Sequence, residues 1–162
     1  VSARLTESVA DQLISIIQAR LADELAITIG HYGGAIPLDI PAVGAYHVAP
    51  VLGLRLPMVV IDPTQLTFTP DAAENFVNAD LSMRVSIVSE NREYETLTRQ
   101  IWRYGVCLYR AVHDQPVVMD TLHGRVRVDR ITYSDWGDVS PDTQSYRRAA
   151  TAECVVKFLE TF

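Results

Sequence analysis

Residues 91–115, NREYETLTRQIWRYGVCLYRAVHDQ, constrain the fold more than any other stretch of this chain. At helical periodicity they place Tyr94, Leu97, Ile101, Tyr104, Leu108 and Val112 on one face. Arg92, Glu95, Thr96, Arg99, Arg103 and Arg110 fall on the opposite face. An alternating segment precedes this helix, and strand-like segments follow it. A long amphipathic helix set between strands needs a sheet on which to bury its apolar stripe. The pattern therefore predicts an α+β layer design.

The segment before the helix, Phe76 to Ser89, is the clearest strand. Ala79, Leu81, Met83, Val85 and Ile87 point one way, and Asp80, Ser82, Arg84 and Ser86 the other. After the helix, Val117 to Leu122 reads as a short strand and His123-Gly124 as a turn. Arg125 to Asp135 is extended, with a bulge expected near Asp129-Arg130, where the apolar register passes from Val126 and Val128 to Ile131 and Tyr133. A polar loop follows. Tyr146 to Leu159 then alternates through Ala150, Ala152, Cys154, Val156 and Phe158.

Upstream, Val9, Leu13, Ile16 and Ile17, widened by Ile14 and Leu21, predict a first helix. Thr6 or Ser8 is expected to cap it, and its end is expected near Asp23 or Glu24. Leu25 to Ile29 then reads as a short strand stopping at Gly30. Met58 to Ile61 forms another, ended by Asp62-Pro63, and Leu66 and Phe68 mark a further extended piece closed by Pro70-Asp71. The whole predicts one antiparallel or mixed β-sheet with two amphipathic helices packed on one face, in a single domain spanning 1–162.

Residues 30–57 have a different texture. They hold five glycines and four prolines, too much punctuation for a helix or a long central strand. Yet Ile36, Leu38, Ile40, Val43, Tyr46, Val48, Val51 and Leu54 are too apolar to be left in water. The segment reads as a Pro/Gly-rich arm that docks, either on its own domain or on a neighbouring subunit.

Composition narrows the function. At 48% hydrophobic residues the chain can build a core without staples, and its net charge of −6 argues against a duplex DNA reader. Cys107 and Cys154 lie far apart with no CxxC spacing, so two buried thiols are expected, and neither a zinc site nor a disulfide. No apolar run approaches the roughly 18 residues that would suggest a membrane span. The opening VSARLTESVADQ lacks a signal-peptide layout, so synthesis in the cytoplasm is expected.

No nucleophile elbow, Walker loop or dinucleotide fingerprint occurs, and no His pair has zinc-ligand spacing on a helix. His113 stands where a cationic side chain would complement the dipole of the second helix, and Glu90, Glu93 and Glu95 stand at the other end. His31 and His47 both lie in the arm, which leaves a small enzyme with a His-containing cleft as a competing reading. The arginine stripe is either a solvated face, helped by Glu95–Arg99, or a surface for an acidic partner. Trp102 and Tyr109 border the apolar face and suit either the edge of the core or a subunit contact. No catalytic, cofactor-binding or metal-ligating residue is expected. The candidate interface residues are Ile36, Leu38, Ile40, Val43, Tyr46, Val48, Trp102, Tyr109 and Trp136.

In order, the chain has an amphipathic helix, an apolar Pro/Gly arm, the strand ADLSMRVSIVSE running directly into NREYETLTRQIWRYGVCLYRAV, and the late strand YRRAATAECVVKFLE. This layout resembles the tail terminator, or tail completion, proteins of tailed bacteriophages. The resemblance covers most of the chain and lies in the order of elements. It implies a non-enzymatic virion part without cofactors, forming a homo-oligomeric ring, commonly of six copies, at the head-proximal end of the tail tube. Its partners would be the tail tube protein and a head–tail connector protein, with DNA passing through unread and no membrane involved. The arm is longer than in the smallest members, which keeps a neighbouring neck or head-completion role open. The loop 134–146 would face the next component of the stack.

Overall fold

A computed structural model describes residues 2–45, 56–70, 77–119, 122–137 and 144–160. The element order is α1 (Ser2–Tyr32), β1 (Ala42–Ala45), β2 (Met58–Pro70), β3 (Val77–Asn91), α2 (Tyr94–Val112), β4 (Pro116–Met119), β5 (Leu122–Asp135) and β6 (Tyr146–Glu160). The strands form a six-stranded sheet in the order β1-β2-β3-β6-β5-β4. β1 runs parallel to β2, and every other pairing is antiparallel. The fold is thus α+β with a mixed sheet.

The alternation in β3 and β6 sets the two faces. Ala79, Leu81, Met83, Val85 and Ile87 are all buried, as are Ala150, Ala152, Cys154, Val156 and Phe158 in the facing register. The buried stripe of α2, from Leu97 through Ile101, Tyr104 and Leu108 to Val112, closes over that surface. Asn91 makes the junction: its Oδ1 accepts the Glu93 N–H at 2.9 Å, which turns the chain out of β3 and into α2. Glu90 is consequently a strand residue paired with Arg147, and no part of the helix start. The expected bulge in β5 is present, with the register shifting between Val128 and Arg130.

Four expectations fail for identifiable reasons. α1 does not end near Asp23, and Leu25 to Ile29 is helical. Its buried residues step by four through Leu5, Val9, Leu13, Ile17, Leu21 and Leu25. Each step overshoots a helical turn by about 40°, so the stripe winds around the helix and looks like a pattern that stops. The helix instead ends where Gly33, at φ +84°, donates its N–H to the Ile29 carbonyl at 2.8 Å. Nor do Thr6 and Ser8 cap α1, because they lie inside it; Ser8 Oγ accepts from Gln12 Nε2.

The other two failures concern strands. Asp62-Pro63 does not stop β2, which continues to Pro70. β1 pairs only with its first three residues, so Pro63 has no ladder bond to give on that side, and a register shift follows it. Finally, His123 and Gly124 lie within β5, opposite Val118 and Val117, and are not a turn.

The winding stripe makes α1 cross the molecule obliquely. Near its start, Gln12 grips edge strand β4: its Nε2 donates to Val118 O at 2.7 Å and its Oε1 accepts Val118 N–H at 2.9 Å. Further along, α1 packs beside α2 and reaches β1 and β2 at the opposite edge of the sheet. Thr28 Oγ1 and Cys107 Sγ meet at 3.0 Å in the buried seam between the helices.

Candidate functional site

The described part of the arm lies on its own domain. Leu38 is buried in the main core, and Val43 is half-buried against it in β1. Two α2 side chains hold the backbone between them. Gln100 Nε2 donates to the Pro37 carbonyl at 2.8 Å, and the Tyr104 hydroxyl to the Asp39 carbonyl at 2.8 Å. Burial, with the nearby Asp39 charge, pushes the Tyr104 phenol well above its ordinary range, so it stays a donor. Ile36 is half-buried, while Ile40 is 69% exposed. The surface of Leu38 is spent within the chain, whereas that of Ile40 remains available. Tyr46, Val48 and His47 lie outside the described residues, as does 138–143 of the polar loop. His31 is exposed and meets Tyr32 edge to face.

Trp136 is half-buried rather than displayed. It packs on a second, smaller cluster of Met58, Val60, Val88 and Ala149, on the sheet face away from the helices. Its backbone N–H donates to the Arg147 carbonyl at 2.9 Å, which fixes the end of β5 over the start of β6.

The outer face of α2 behaves differently. Trp102 is 51% exposed and Tyr109 is 41% exposed, and Val106 between them is exposed too. The spacing of four and three residues makes one apolar ridge. Arg99 and Arg110 stand beside it. Gly105, next to this ridge, allows β5 to approach: a Cβ there would lie 2.9 Å from Tyr133 Cε1, and the Tyr133 ring continues the exposed aromatic surface. At the lower end, Tyr109 stacks on His113 with ring centroids 4.6 Å apart. His113 Nδ1 accepts the Val128 N–H at 3.1 Å. The ring thereby satisfies the edge of β5 beside the C-terminal end of α2.

Tyr94 departs from its predicted place on the buried face. It is exposed, packs edge to face with Tyr146, and donates to Asp135 Oδ1 at 3.2 Å. Arg148 lies over the Tyr94 ring and donates to Thr98 Oγ1 at 2.9 Å. This group ties the start of α2 to the ends of β5 and β6.

Beyond the Trp136 cluster, the sheet face away from the helices sets opposite charges side by side among the described residues. Arg84 stands in register between Asp62 and Glu153, and Lys157 opposite Asp80. Arg125 pairs with Asp114, Arg127 with Asp129, and Arg130 with Glu153. Near the middle, the Ser86 and Thr151 hydroxyls bond to each other at 2.8 Å. His113, Arg125, Arg127 and Lys157 also border a shallow cavity at the β5–β6 end. Among the described residues, no three His, Cys, Asp or Glu side chains gather as a metal site, and no helix is long and apolar enough to cross a membrane.

Cys107 and Cys154 are both free and buried. Burial raises both thiols, and the Asp129 and Glu153 carboxylates add to the effect at Cys154, which is pushed up to about 12.

Sequence reasoning placed Trp102 and Tyr109 at the border of the apolar face. It missed Val106 and Tyr133, which complete the exposed surface. Val106 was legible from its spacing between the two aromatics, whereas Tyr133 becomes visible only through its approach to Gly105.

No family model matches the chain, and no curated protein matches it. Among solved structures, a chain described as "Virion of native gene transfer agent (GTA) particle" is similar at 13% identity. The match covers 88% of this chain and 94% of that chain, with a TM-score of 0.47.

Proposed function

We propose that this chain is a structural virion protein, a tail terminator or tail completion subunit. It assembles as a homo-oligomeric ring, six copies by resemblance, on the head-proximal end of a tail tube, and joins the tube to a head–tail connector protein. It uses no cofactor and performs no catalysis. The observation that carries this reading is the exposed ridge of Trp102, Val106 and Tyr109 with Arg99 and Arg110. Trp, Tyr and Arg dominate the energetics of protein contacts, and a solvated helix face has no use for two aromatic rings. The order of elements on which the resemblance rests supports it further: a long helix, an arm, and a long strand leading through a two-residue junction into α2.

The charge mosaic suits a part that DNA passes. Cations held beside carboxylates neutralise few phosphates, so DNA contacting such a surface would not be retained. The exposed Ile40 and the segment 134–146 are further candidates for contacts with neighbours in the stack.

Light scattering coupled to size exclusion, on the protein alone and with tail tubes of the same virion, tests the reading. Ring-sized assemblies or tube-bound protein are expected. A monomer that never joins tubes contradicts it. The competing enzyme reading predicts loss of turnover in His31→Ala/His47→Ala, whereas an assembly protein carrying both changes still builds particles.

A further inference from the structure

The charge of this chain is unevenly distributed. Residues 1–80 hold nine acidic and three basic side chains, and residues 81–162 hold eleven of each, so the first half accounts for the entire net charge of −6. The helices repeat the asymmetry. α1 has Glu7, Asp11, Asp23 and Glu24 against Arg4 and Arg20, while α2 has Arg99, Arg103 and Arg110 against Glu95. Arg20 is already engaged, because its guanidinium donates to the Ala111 and Arg110 carbonyls at the end of α2.

Each helix also exposes apolar surface. On α1, Asp23 and Ile27 stand one turn apart, both exposed, with Ile27 at 54%. On α2 the ridge is Trp102, Val106 and Tyr109. α1 lies along the flank of α2 that carries Cys107 and Arg103, the latter over the Tyr32 ring. Tyr109 instead leans on His113, at the β5 side. The chain therefore carries two exposed apolar patches at different places on the helix pair, one beside the carboxylate of Asp23 and one beside the guanidinium groups of Arg99 and Arg110.

We infer that the Trp102–Val106–Tyr109 ridge of one copy docks on the Asp23–Ile27 surface of α1 in a second copy. The inference deepens the ring reading and rests on it. Two unlike, complementary patches on one chain make a heterologous contact, the kind that repeats head to tail around a closed ring. Arg110, exposed beside Tyr109, faces Asp23 and sets the orientation of that contact, while Arg99 is shared with Glu95 of its own helix. A second copy is the favoured occupant because the complement in both charge and apolar character is present on the chain itself.

Sedimentation of the full chain over a range of concentrations, with and without tail tubes, tests this. One variant carries Trp102→Ala and Tyr109→Ala, the other Asp23→Arg and Ile27→Ala. All four positions are exposed, and circular dichroism confirms that each variant is folded. Each variant alone should self-associate at least about tenfold more weakly than the parent chain. Mixed in equal amounts they should form dimers and stop there, since only one intact ridge and one intact α1 surface can meet. Variants that build rings as well as the parent, or a mixture that stays monomeric, overturn the inference while the ring reading stands. A parent chain that associates neither with itself nor with tubes overturns both.

Discussion

Gly124 of β5 faces Phe158 of β6 across the paired strands, and the Phe158 ring occupies the space a side chain at 124 would need. A Cβ there would fall 3.0 Å from Phe158 Cδ1 and 2.7 Å from the Lys157 carbonyl oxygen. The ring is buried and the carbonyl belongs to a paired strand, so neither yields cheaply. Gly124→Ala should lower unfolding stability by about 1–3 kcal/mol, the usual cost of overpacking. Denaturant melts of the two proteins measure it, and equal midpoints would refute it.

Gln12 should protect an exposed sheet edge. Its amide donates to and accepts from the backbone of Val118, as another strand would. Gln12→Ala loses two partly solvated hydrogen bonds, an expected cost of about 1–2 kcal/mol. Amide hydrogen exchange at Val118 should accelerate, while exchange in β3 and β6 should follow only the global loss of stability.

Gln100 and Tyr104 should hold the arm. Gln100→Ala with Tyr104→Phe removes both donors to the 37–39 backbone and leaves the Tyr104 ring in the core. Proteolysis within 34–41 should become faster, while global unfolding stability falls by no more than about 1–2 kcal/mol. Unchanged cleavage would show that burial of Leu38 alone fixes the arm.

The buried thiols give a pH dependence of definite sign. In the fold, Cys154 is pushed up to about 12 from an ordinary 9.0, and Cys107 is also raised. Below the ordinary value both states keep the proton, and the contribution is fully present. Above it, the unfolded chain releases protons that the fold retains. Stability should therefore fall as pH rises from about 9 toward 12, by up to about 1.4 kcal/mol per pH unit for Cys154, with Cys107 acting in the same direction. Urea midpoints should decline over that range, and Cys107→Ala/Cys154→Ala should flatten the decline.

What could be read from the residues follows from what kind of signal each element leaves. β3, β6 and α2 are legible because one face of each is buried along its whole length, so polarity follows backbone period. The β5 bulge shows itself for the same reason, as a phase slip between Val128 and Ile131. α1 hides its length because the buried stripe drifts about halfway around the helix as it crosses from β4 to β1. The extent of β2 depends on its neighbour: Pro63 is acceptable only because β1 stops short of it. Gly124 looks like a turn residue until Phe158 is seen above it. Within the candidate surface, Trp102 and Tyr109 could be picked out by type and spacing. That the arm buries Leu38 and leaves Ile40 in water is set by Gln100 and Tyr104, more than sixty residues away.

Electron microscopy of tail tubes grown from tube protein of the same virion, with and without this chain, tests the central claim most directly. If the chain caps tubes, its addition yields tubes that stop growing and carry a ring at one end, and the Trp102→Ala/Tyr109→Ala variant fails to do so. Tubes of unchanged length without a terminal ring would contradict the account.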